Sequence, residues 1–413
     1  MKKSLLYIVN FYGTPPLNYF EKYLKETDSA SVTVMILPAV RSSKNRLLIN
    51  SMIKDENDNK IPININIFFP FPYFFLFFIQ YIINFFLFFI LLSKAKQKHF
   101  DVVISETNFG SALGYLLKKI GKVDYSVFMN GDILPFSKDS KRCFYLPNNG
   151  LSTNIIIKGI DSFIIKIQYW LRKFGYKNDL IWYANRGVKN WDKKYGLVSG
   201  NYFISDTIMI DYKQYLTYAS IKKQMNKICY FGRLDDYVGL DLIIKSLKLI
   251  KNSISDIALL VVGGNEITIE KFKKLANEEN VLDYVHFYGY VPEMNKAYEI
   301  LSHCALGLAL YKPTKGNVSL IAQPAKPREY IKVGLPVLVS KGGPSLGKDL
   351  VKKGAGLECE FNEISVSEII KEVLTNNILY EDLQSHVRKY AASLDYYKCF
   401  AKIWKKITNK ISS

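Results

Sequence analysis

Charged side chains at two turns in the second half of the chain are suited to binding an anionic ligand. At the first turn, Arg233 follows the apolar pair Tyr230-Phe231 and Gly232. A guanidinium can donate two parallel hydrogen bonds to phosphate oxygens, and a glycine lets the backbone come close to a ligand. This turn therefore predicts a phosphate contact, and the alternative is that Arg233 is a solvated turn residue.

The second turn is a polar loop that leads into a predicted helix over Lys326–Val333. The free amide groups at a helix N-terminus attract an anion, and the Lys326 side chain adds a positive charge. Glu329 has two acceptor oxygens, which can hold both hydroxyls of a ribose. The alternative is a charged surface helix, although a buried Glu329 would be costly without a partner.

The segments around these turns alternate between short apolar runs and stretches of helical period. That alternation is typical of parallel sheets covered by crossover helices, so we predict the α/β fold class with two doubly wound parallel-sheet domains. Ligands of such sheets bind beyond the carboxyl ends of the strands, where both turns fall. The predicted strands are Ser4–Asn10, Val102–Ser105, Tyr125–Met129, Ile181–Ala184, Tyr202–Ile204, Ile228–Phe231, Ala258–Val262, Val285–Tyr288, Ala305–Leu310 and Pro336–Val339.

The same alternation divides the chain into three predicted parts. Residues 1–211 form the first domain and residues 212–395 the second, with the join in the polar stretch 211–227. Residues 396–413 form a basic amphipathic helix that packs back on the first domain. The alternative for this helix is that it packs across both domains with its lysines in solvent.

Five short motifs occur in an order that resembles a known family. They are Gly-Arg-Leu at 232–234, Val-Val-Gly-Gly at 261–264, Phe-Tyr-Gly-Tyr-Val at 287–291, Pro-x-Lys-x-x-Glu-Tyr at 324–330 and Gly-Leu-Pro-Val at 334–337. Their order resembles the nucleotide-sugar domain of retaining glycosyltransferases of family 4, which have the GT-B fold of two Rossmann-like domains facing a central cleft. The resemblance covers residues 227–374 and rests on strand order alone over residues 1–211.

The resemblance implies transfer of a sugar from a nucleotide-sugar donor to a glycan or lipid-linked acceptor held by the first domain, with no metal or cofactor. In that family the arginine of the first turn binds the donor diphosphate and the final glutamate binds its ribose. The catalytic candidates are Asn130 and Asp132, after a middle strand, although Asp132 is as readily a helix cap. The implied donor-binding residues are Gly13, Arg233, Gly264, Tyr290, Val291, Gln323, Lys326 and Glu329.

Three positions depart from the family pattern. Val238 stands where many members have a second phosphate-binding lysine, which leaves Lys326 to supply that charge. Ile321 replaces the first of two glutamates, and Asn130 stands where histidine is commonest. The departures at Val238 and Ile321 keep open a non-catalytic nucleotide-sugar-binding subunit. A nucleotide-sugar epimerase of the same fold is a second alternative, which would need an acid/base pair in the cleft.

Composition limits the partners and the location. The chain has 56 Lys and Arg against 37 Asp and Glu, a net charge of +19, which favours phosphates, nucleic acid or anionic lipid as partners. No nucleic-acid recognition motif is present in the sequence, so we expect no nucleic-acid partner. The five cysteines include no CxxC pair, and the apolar run in Met1–Asn10 is too short for a signal peptide, so we expect a cytoplasmic protein.

One apolar segment suggests contact with a membrane. Pro72–Leu92 holds no charge and is rich in phenylalanine, and Lys94, Lys96 and Lys98 follow it. It is long enough to span a bilayer, but a span would put the first two predicted strands of one sheet on opposite sides. We therefore expect it to dock the first domain peripherally on the anionic inner face of the cell membrane, and the alternative is a core helix.

Overall fold

The computed structural model divides the chain into two compact units. Unit 1 comprises Met1–Thr207 and Phe400–Ser413, and unit 2 comprises Ile208–Cys399. The structure describes residues 2–9, 17–37, 41–43, 46–68, 73–131, 155–205, 209–314, 317–320 and 324–411. The stretch 211–227, predicted as the join, lies in unit 2, where Tyr215 is buried in the core.

Strands and helices alternate through both units. The strands are β1 (Lys3–Val9), β2 (Ala30–Ile36), β3 (Arg41–Ser43), β4 (Arg46–Lys54), β5 (Lys60–Phe68), β6 (Phe100–Glu106), β7 (Val123–Asn130), β8 (Leu180–Tyr183), β9 (Tyr202–Ile204), β10 (Gln224–Phe231), β11 (Ala258–Val262), β12 (Val285–Gly289), β13 (Cys304–Ala309), β14 (Val337–Ser340) and β15 (Gly356–Cys359). The helices are α1 (Leu17–Glu26), α2 (Tyr73–Lys94), α3 (Asn108–Lys119), α4 (Ile155–Gly175), α5 (Arg186–Lys194), α6 (Tyr212–Ala219), α7 (Leu240–Ile250), α8 (Glu266–Glu278), α9 (Met294–Ser302), α10 (Ala325–Lys332), α11 (Ser345–Lys352), α12 (Glu363–Thr375), α13 (Asn377–Ser393) and α14 (Tyr396–Ile411).

Unit 1 is built on a nine-stranded sheet. Its parallel part has the order β2-β1-β6-β7-β8-β9, and the antiparallel strands β3, β4 and β5 extend the β2 edge. The sequence pattern did not predict β2 to β5. In β5 isoleucines alternate with Pro62, Asn64 and Asn66, and this period of two is hidden inside a longer stretch rich in Phe, Ile and Asn.

One helical layer covers one face of the unit 1 sheet. Leu6 and Ile8 of β1 pack with Phe88 of α2 and Leu113 of α3 in a single hydrophobic cluster. α4 joins this layer through Gln168, which donates a hydrogen bond to Tyr81 of α2 and accepts one from Asn108 of α3 at 2.8 Å. α2, α3 and α4 therefore form a layer with an inner side on the sheet and an outer side.

The opposite face of the unit 1 sheet is covered by α1 and by the part of α14 that belongs to unit 1. Phe20 of α1 meets Tyr7 of β1 edge to face at 6.4 Å between ring centres. Phe20 also stacks on Phe400 of α14 at 4.7 Å, and Phe400, Ile403, Trp404 and Ile407 are buried. The apolar face of the C-terminal helix is thus a core element of unit 1.

Unit 2 is a six-stranded parallel sheet in the order β12-β11-β10-β13-β14-β15. Because β10 is its first strand in the chain, this is the order 3-2-1-4-5-6 of a doubly wound nucleotide-binding fold. The order reverses between β10 and β13, and a crevice forms at the carboxyl ends of the strands at such a reversal. The parallel sheet of unit 2 and the parallel part of the unit 1 sheet confirm the predicted fold class.

The apolar segment around Pro72–Leu92 forms α2, with one side in the unit 1 core. Leu87, Phe88 and Leu91 are buried, whereas Phe85, Phe86 and Phe89 are exposed. Within the described ranges, no helix combines the length and apolar character that crossing a membrane requires.

Candidate functional site

The two charged turns lie together where the strand order of unit 2 reverses. Gly232 and Arg233 follow β10, and Tyr311 follows β13. Lys326, in the first turn of α10, lies over both strand ends, because its Nζ is 4.8 Å from the ring centre of Tyr230 and 5.8 Å from that of Tyr311. The fold thus brings the arginine turn and the start of α10 to one crevice.

Lys326 is a buried cation that forms no ion pair and no hydrogen bond with a described residue. The residue is 8% exposed, and burial lowers the pKa of its ammonium group to about 8, although nearby Asp235 acts in the opposite direction. The hydroxyls of Tyr311 and Thr314, at and after the end of β13, are also buried with no described partner. Since buried polar groups are normally paired, these three groups mark the place where a polar ligand is expected.

Glycines hold neighbouring strand ends against each other beside Lys326. The N–H of Gly232 donates to the Val262 carbonyl at 2.8 Å, and the N–H of Gly263 donates to the Gly289 carbonyl at 2.7 Å. Gly263 has φ 128°, and a Cβ there would overlap the Gly232 carbonyl. Gly264 has φ 84°, and a Cβ there would lie 2.5 Å from a Leu234 methyl. Only glycine fits these two positions, so the predicted donor-binding Gly264 also has a structural reason.

Arg233 has a fixed backbone and an exposed side chain. Its carbonyl accepts a hydrogen bond from the Tyr230 hydroxyl at 2.6 Å, while the side chain is 86% exposed. The guanidinium turns back on Asp235, with Nη2 3.0 Å and Nε 3.1 Å from one carboxylate oxygen. An exposed ion pair of this kind is weak, so the guanidinium can exchange Asp235 for a phosphate at small cost.

Glu329 is buried in a network of its own. One carboxylate oxygen accepts from Arg328 at 2.7 Å and 2.8 Å, and the other accepts from the Tyr298 hydroxyl at 2.5 Å and pairs with Lys332 at 3.0 Å. Burial alone would raise the pKa of Glu329, but Arg328 and Lys332 outweigh it and the pKa is lowered. The network joins α10 to α9, and ribose binding by Glu329 stays a prediction.

Tyr330 positions α10 against the two strands that flank the crevice. Its hydroxyl accepts a hydrogen bond from the Phe231 N–H at 2.8 Å and donates one to the Leu308 carbonyl at 3.0 Å. A Cβ at Gly307 of β13 would overlap the Tyr330 ring. Tyr330 therefore fixes the distance of α10, and with it that of Lys326, from β10 and β13.

The remaining donor-binding candidates fall into two groups. Tyr290 is exposed after β12, whereas Val291 is half-buried and packs on the unit 2 core. Gly13 and Gln323 lie outside the described residues, as do Asp132 and the departing position Ile321. The roles of all these residues stay predictions.

Asn130, the last residue of β7 in unit 1, is buried in a polar network. Its amide donates to Asp192 at 2.6 Å and accepts from Arg172 at 2.7 Å. Arg172 also donates to Asp192 at 2.8 Å, and the Tyr176 hydroxyl donates to the same oxygen. Burial raises the pKa of Tyr176, and the Asp192 charge adds to the shift. These contacts give Asn130 a structural role, and its catalytic role stays a prediction.

Several residues of these networks were missed by the sequence pattern. Tyr311 carried a usable signal, because it begins the loop directly after a predicted strand. No such signal marks Tyr298, Arg172 or Asp192 in the sequence, because each of them meets its partner only through the packing of separate elements. In the part of the chain that the structure describes, no group of three or more His, Cys, Asp or Glu side chains could hold a metal ion.

Solved structures with the same fold cover nearly the whole chain. Sucrose-phosphate synthase from Thermosynechococcus elongatus matches with a TM-score of 0.64 at 12% identity, covering 99% of each chain. WaaG, a glycosyltransferase involved in lipopolysaccharide biosynthesis, matches with a TM-score of 0.57 at 14% identity, covering 98% of this chain and 99% of that one. HepE from Anabaena in complex with UDP-glucose matches with a TM-score of 0.57 at 12% identity, covering 98% of this chain and 100% of that one. The fold is that of GT-B glycosyltransferases.

A family match is found for the second half of the chain. Residues 218–392 match the family of glycosyl transferases group 1. The matched range contains Arg233, Lys326 and Glu329 together with the strands and helix that position them. No significant match is found among curated proteins.

Proposed function

We propose that the protein is a retaining glycosyltransferase that moves a sugar from a nucleotide-sugar donor to a glycan or lipid-linked acceptor. The observation that carries the proposal is Lys326, a buried cation without a described counterion at the strand-order reversal of unit 2. A donor diphosphate would neutralise it. The match of residues 218–392 to group 1 glycosyl transferases supports this reading, and HepE, a neighbour in fold, binds UDP-glucose.

In the proposed reaction the enzyme stabilises the leaving diphosphate. Lys326, Arg233 and the first amides of α10 would offset the negative charge that develops as the bond between the anomeric carbon and the phosphate oxygen breaks. With retention, the acceptor oxygen bonds to the anomeric carbon on the same face and its proton passes to the leaving phosphate. No protein nucleophile is needed, and because side chains supply the positive charge, we propose a reaction without a metal or cofactor.

The acceptor and the location are proposed from unit 1. Unit 1 holds 31 Lys and Arg against 15 Asp and Glu, a net +16, whereas unit 2 holds 25 against 22, a net +3. Most of the net positive charge therefore lies in unit 1. We propose that unit 1 holds the acceptor at the inner face of the cell membrane, in polysaccharide or glycoconjugate biosynthesis.

A second candidate is a non-catalytic nucleotide-sugar-binding subunit. The observation that favours it is the Asn130 network, because one of the two catalytic candidates is buried and bonded to Arg172 and Asp192. This reading keeps the donor site of unit 2 and removes the transfer step.

One experiment separates these functions. The full chain is incubated with a panel of nucleotide sugars, with and without a lipid-linked sugar acceptor, and released nucleotide is measured. Release that depends on the acceptor supports a transferase. Binding without release supports the subunit, and conversion of one nucleotide sugar into another without acceptor supports an epimerase. Failure to bind any nucleotide sugar contradicts the donor site.

Substitutions test the donor site directly. Arg233→Ala should lose a charge-assisted phosphate contact worth about 1.5 to 3 kcal/mol, and Glu329→Gln should weaken ribose binding with little change in shape. Lys348→Ala, which removes an exposed lysine from α11, is the matched control. Affinities are measured by titration calorimetry. Wild-type affinity in either site variant would show that the residue does not contact the donor.

A further inference from the structure

α2 presents a row of large apolar side chains to solvent. Ile82 is 58% exposed and Phe86 is 62% exposed, whereas Phe88, on the opposite side of the helix, is fully buried. The row follows the spacing of one helical face: Ile82, Phe85, Phe86, Phe89 and Ile90. A contiguous apolar row of this kind on an outer helix marks an interaction surface.

α4 carries a second exposed row in which aromatic and basic residues alternate. Phe163, Lys166, Trp170 and Lys173 follow one another at spacings of three and four residues. Phe163 is 55% exposed and Trp170 is 58% exposed. Neither Lys166 nor Lys173 forms an ion pair with a described residue. Aromatic rings between unpaired lysines combine apolar insertion with attraction to anionic headgroups.

Each row lies on the side of its helix that is opposite a buried residue, Phe88 in α2 and Gln168 in α4. The inner sides of α2 and α3 pack on the same face of the unit 1 sheet, and Gln168 ties α4 to both helices. The sequence of the three helices contains one acidic residue, Asp161. The outer side of the layer is therefore both apolar and almost purely basic in its charged residues.

We propose that the outer side of the α2, α3 and α4 layer docks on an anionic phospholipid bilayer. The inference rests on the proposed function in taking a membrane-anchored acceptor as the reason for docking. The two apolar rows enter the boundary between headgroups and acyl chains, while Lys94, Lys166 and Lys173 contact lipid phosphates. A second copy of the chain is disfavoured as the occupant, because two units of net charge +16 would repel each other.

The lysines that follow α2 contribute unequally to this surface. Lys96 pairs with Asp55 at 2.9 Å, and Lys98 donates to the Ser93 and Ala95 carbonyls at 2.7 Å and 2.9 Å. Lys94 is exposed and has no ion pair with a described residue. The positive charge of the surface therefore comes from Lys94 and from α4, which the sequence pattern alone did not connect to α2.

Vesicle flotation of the full chain tests the proposal. Wild type should float with vesicles of phosphatidylcholine and phosphatidylglycerol and much less with pure phosphatidylcholine. Two double variants remove apolar side chains that would be buried in the bilayer: Ile82→Ser with Phe86→Ser, and Phe163→Ser with Trp170→Ser. Each should lower the vesicle partition coefficient about tenfold or more. Leu249→Ser with Ile378→Ser, two exposed apolar residues of unit 2, is the matched control.

Charge and insertion depth are read out separately. Lys166→Glu with Lys173→Glu should weaken binding to anionic vesicles. The binding that remains should also fall less than wild-type binding when the salt is raised to about 1 M, where surface charges are screened. Brominated acyl chains should quench the fluorescence of wild type, and Trp170→Phe should keep vesicle binding while losing most of that quenching. Circular dichroism checks the fold of each variant, with Phe88→Ser as the variant expected to unfold.

Three outcomes would overturn the proposal. They are absence of wild-type binding to anionic vesicles, wild-type binding by both serine pairs, and a dimer in sedimentation analysis that the serine pairs dissociate. Nucleotide-sugar affinity is measured on the same variants without vesicles. If the wild type binds a nucleotide sugar but no anionic vesicles, only the membrane inference fails. If the wild type binds anionic vesicles but no nucleotide sugar, only the proposed function fails.

Discussion

Lys326 carries a buried positive charge that forms no ion pair with a described residue. Its ammonium group lies over the Tyr230 and Tyr311 rings at the ends of β10 and β13, and burial lowers its pKa to about 8. Below pH 8 the group is charged and its desolvation opposes folding, and this cost disappears as the pH rises from 8 toward the unfolded value of 10.5. A residue that costs stability in the free protein is best explained by a ligand.

Lys326→Met should therefore stabilise the free protein and weaken donor binding. Removing the buried charge should raise the free energy of unfolding near pH 7 by on the order of 2 kcal/mol, and donor affinity should fall at least tenfold. Lys332→Met is the matched control, because Lys332 is buried in the same helix but pairs with Glu329, so its loss should destabilise. Thermal unfolding and calorimetry measure both effects. A lower midpoint for Lys326→Met would mean that Lys326 serves the fold.

Donor affinity should also depend on pH through the same group. A bound diphosphate favours the charged form of Lys326, so binding raises its pKa and takes up a proton above pH 8. Affinity should be constant below about pH 7.5 and fall by up to about tenfold per pH unit above pH 8. Lys326→Arg stays charged and should give a flat profile. A flat wild-type profile between pH 7 and 10 would contradict a phosphate contact by Lys326.

Among the elements, β7, α4 and α5 are joined by one buried ion pair. Arg172 of α4 and Asp192 of α5 are both buried and both bond to Asn130 at the end of β7. Removing one partner of a buried pair leaves the other charge without compensation. The carboxyl end of β7, where the resemblance places the catalytic candidates, is thereby held by two helices.

Arg172→Met and Asp192→Leu should each lower the stability of unit 1 by about 3 to 5 kcal/mol. The double variant should lose clearly less than the sum of the single losses, because it leaves no unpaired charge. Urea unfolding followed by tryptophan fluorescence reports on unit 1. Asp28→Asn, which breaks an exposed ion pair with Lys2, should change stability by less than about 1 kcal/mol. Additive losses would show that the two side chains do not act as a pair.

For the whole molecule, the two units differ in the chemistry that they carry. Unit 1 has most of the net charge and all four tryptophans, Trp170, Trp182, Trp191 and Trp404. Unit 2 has no tryptophan and contains the candidate donor site. Ligand binding and tryptophan fluorescence therefore report on different parts of the chain.

A nucleotide sugar should stabilise unit 2 selectively. At a hundred times its dissociation constant it should add about 2.7 kcal/mol to the unfolding free energy of unit 2. The part of the circular dichroism signal that comes from unit 2 should then melt at a higher temperature, while the transition seen by tryptophan fluorescence should stay in place. An equal shift of both signals would show that the units unfold as one.

Elements whose pattern is local could be predicted from the amino-acid sequence. The apolar runs of β10, β11 and β13 and the helix Leu240–Ile250 are predictable because burial and helical period act within a few residues. The turn at Gly232 and Arg233 and the start of α10 could be placed at a strand end and a helix start for the same reason, and their role as an anion site stays a prediction. β5 could not be predicted, because its alternation lies inside a longer stretch that is rich in Phe, Ile and Asn.

The contacts between side chains from distant segments could not be predicted from the sequence, because the fold of each unit sets them. Tyr230, Tyr311 and Lys326 come from three separate segments, and the order β10-β13 of the sheet brings them together. Tyr298 likewise reaches Glu329 from α9, as Asp192 reaches Asn130 from α5. The sequence pattern reports whether a position is apolar or polar and how it repeats. The partner of a buried charge is set by strand order and helix packing, which depend on interactions across the whole unit.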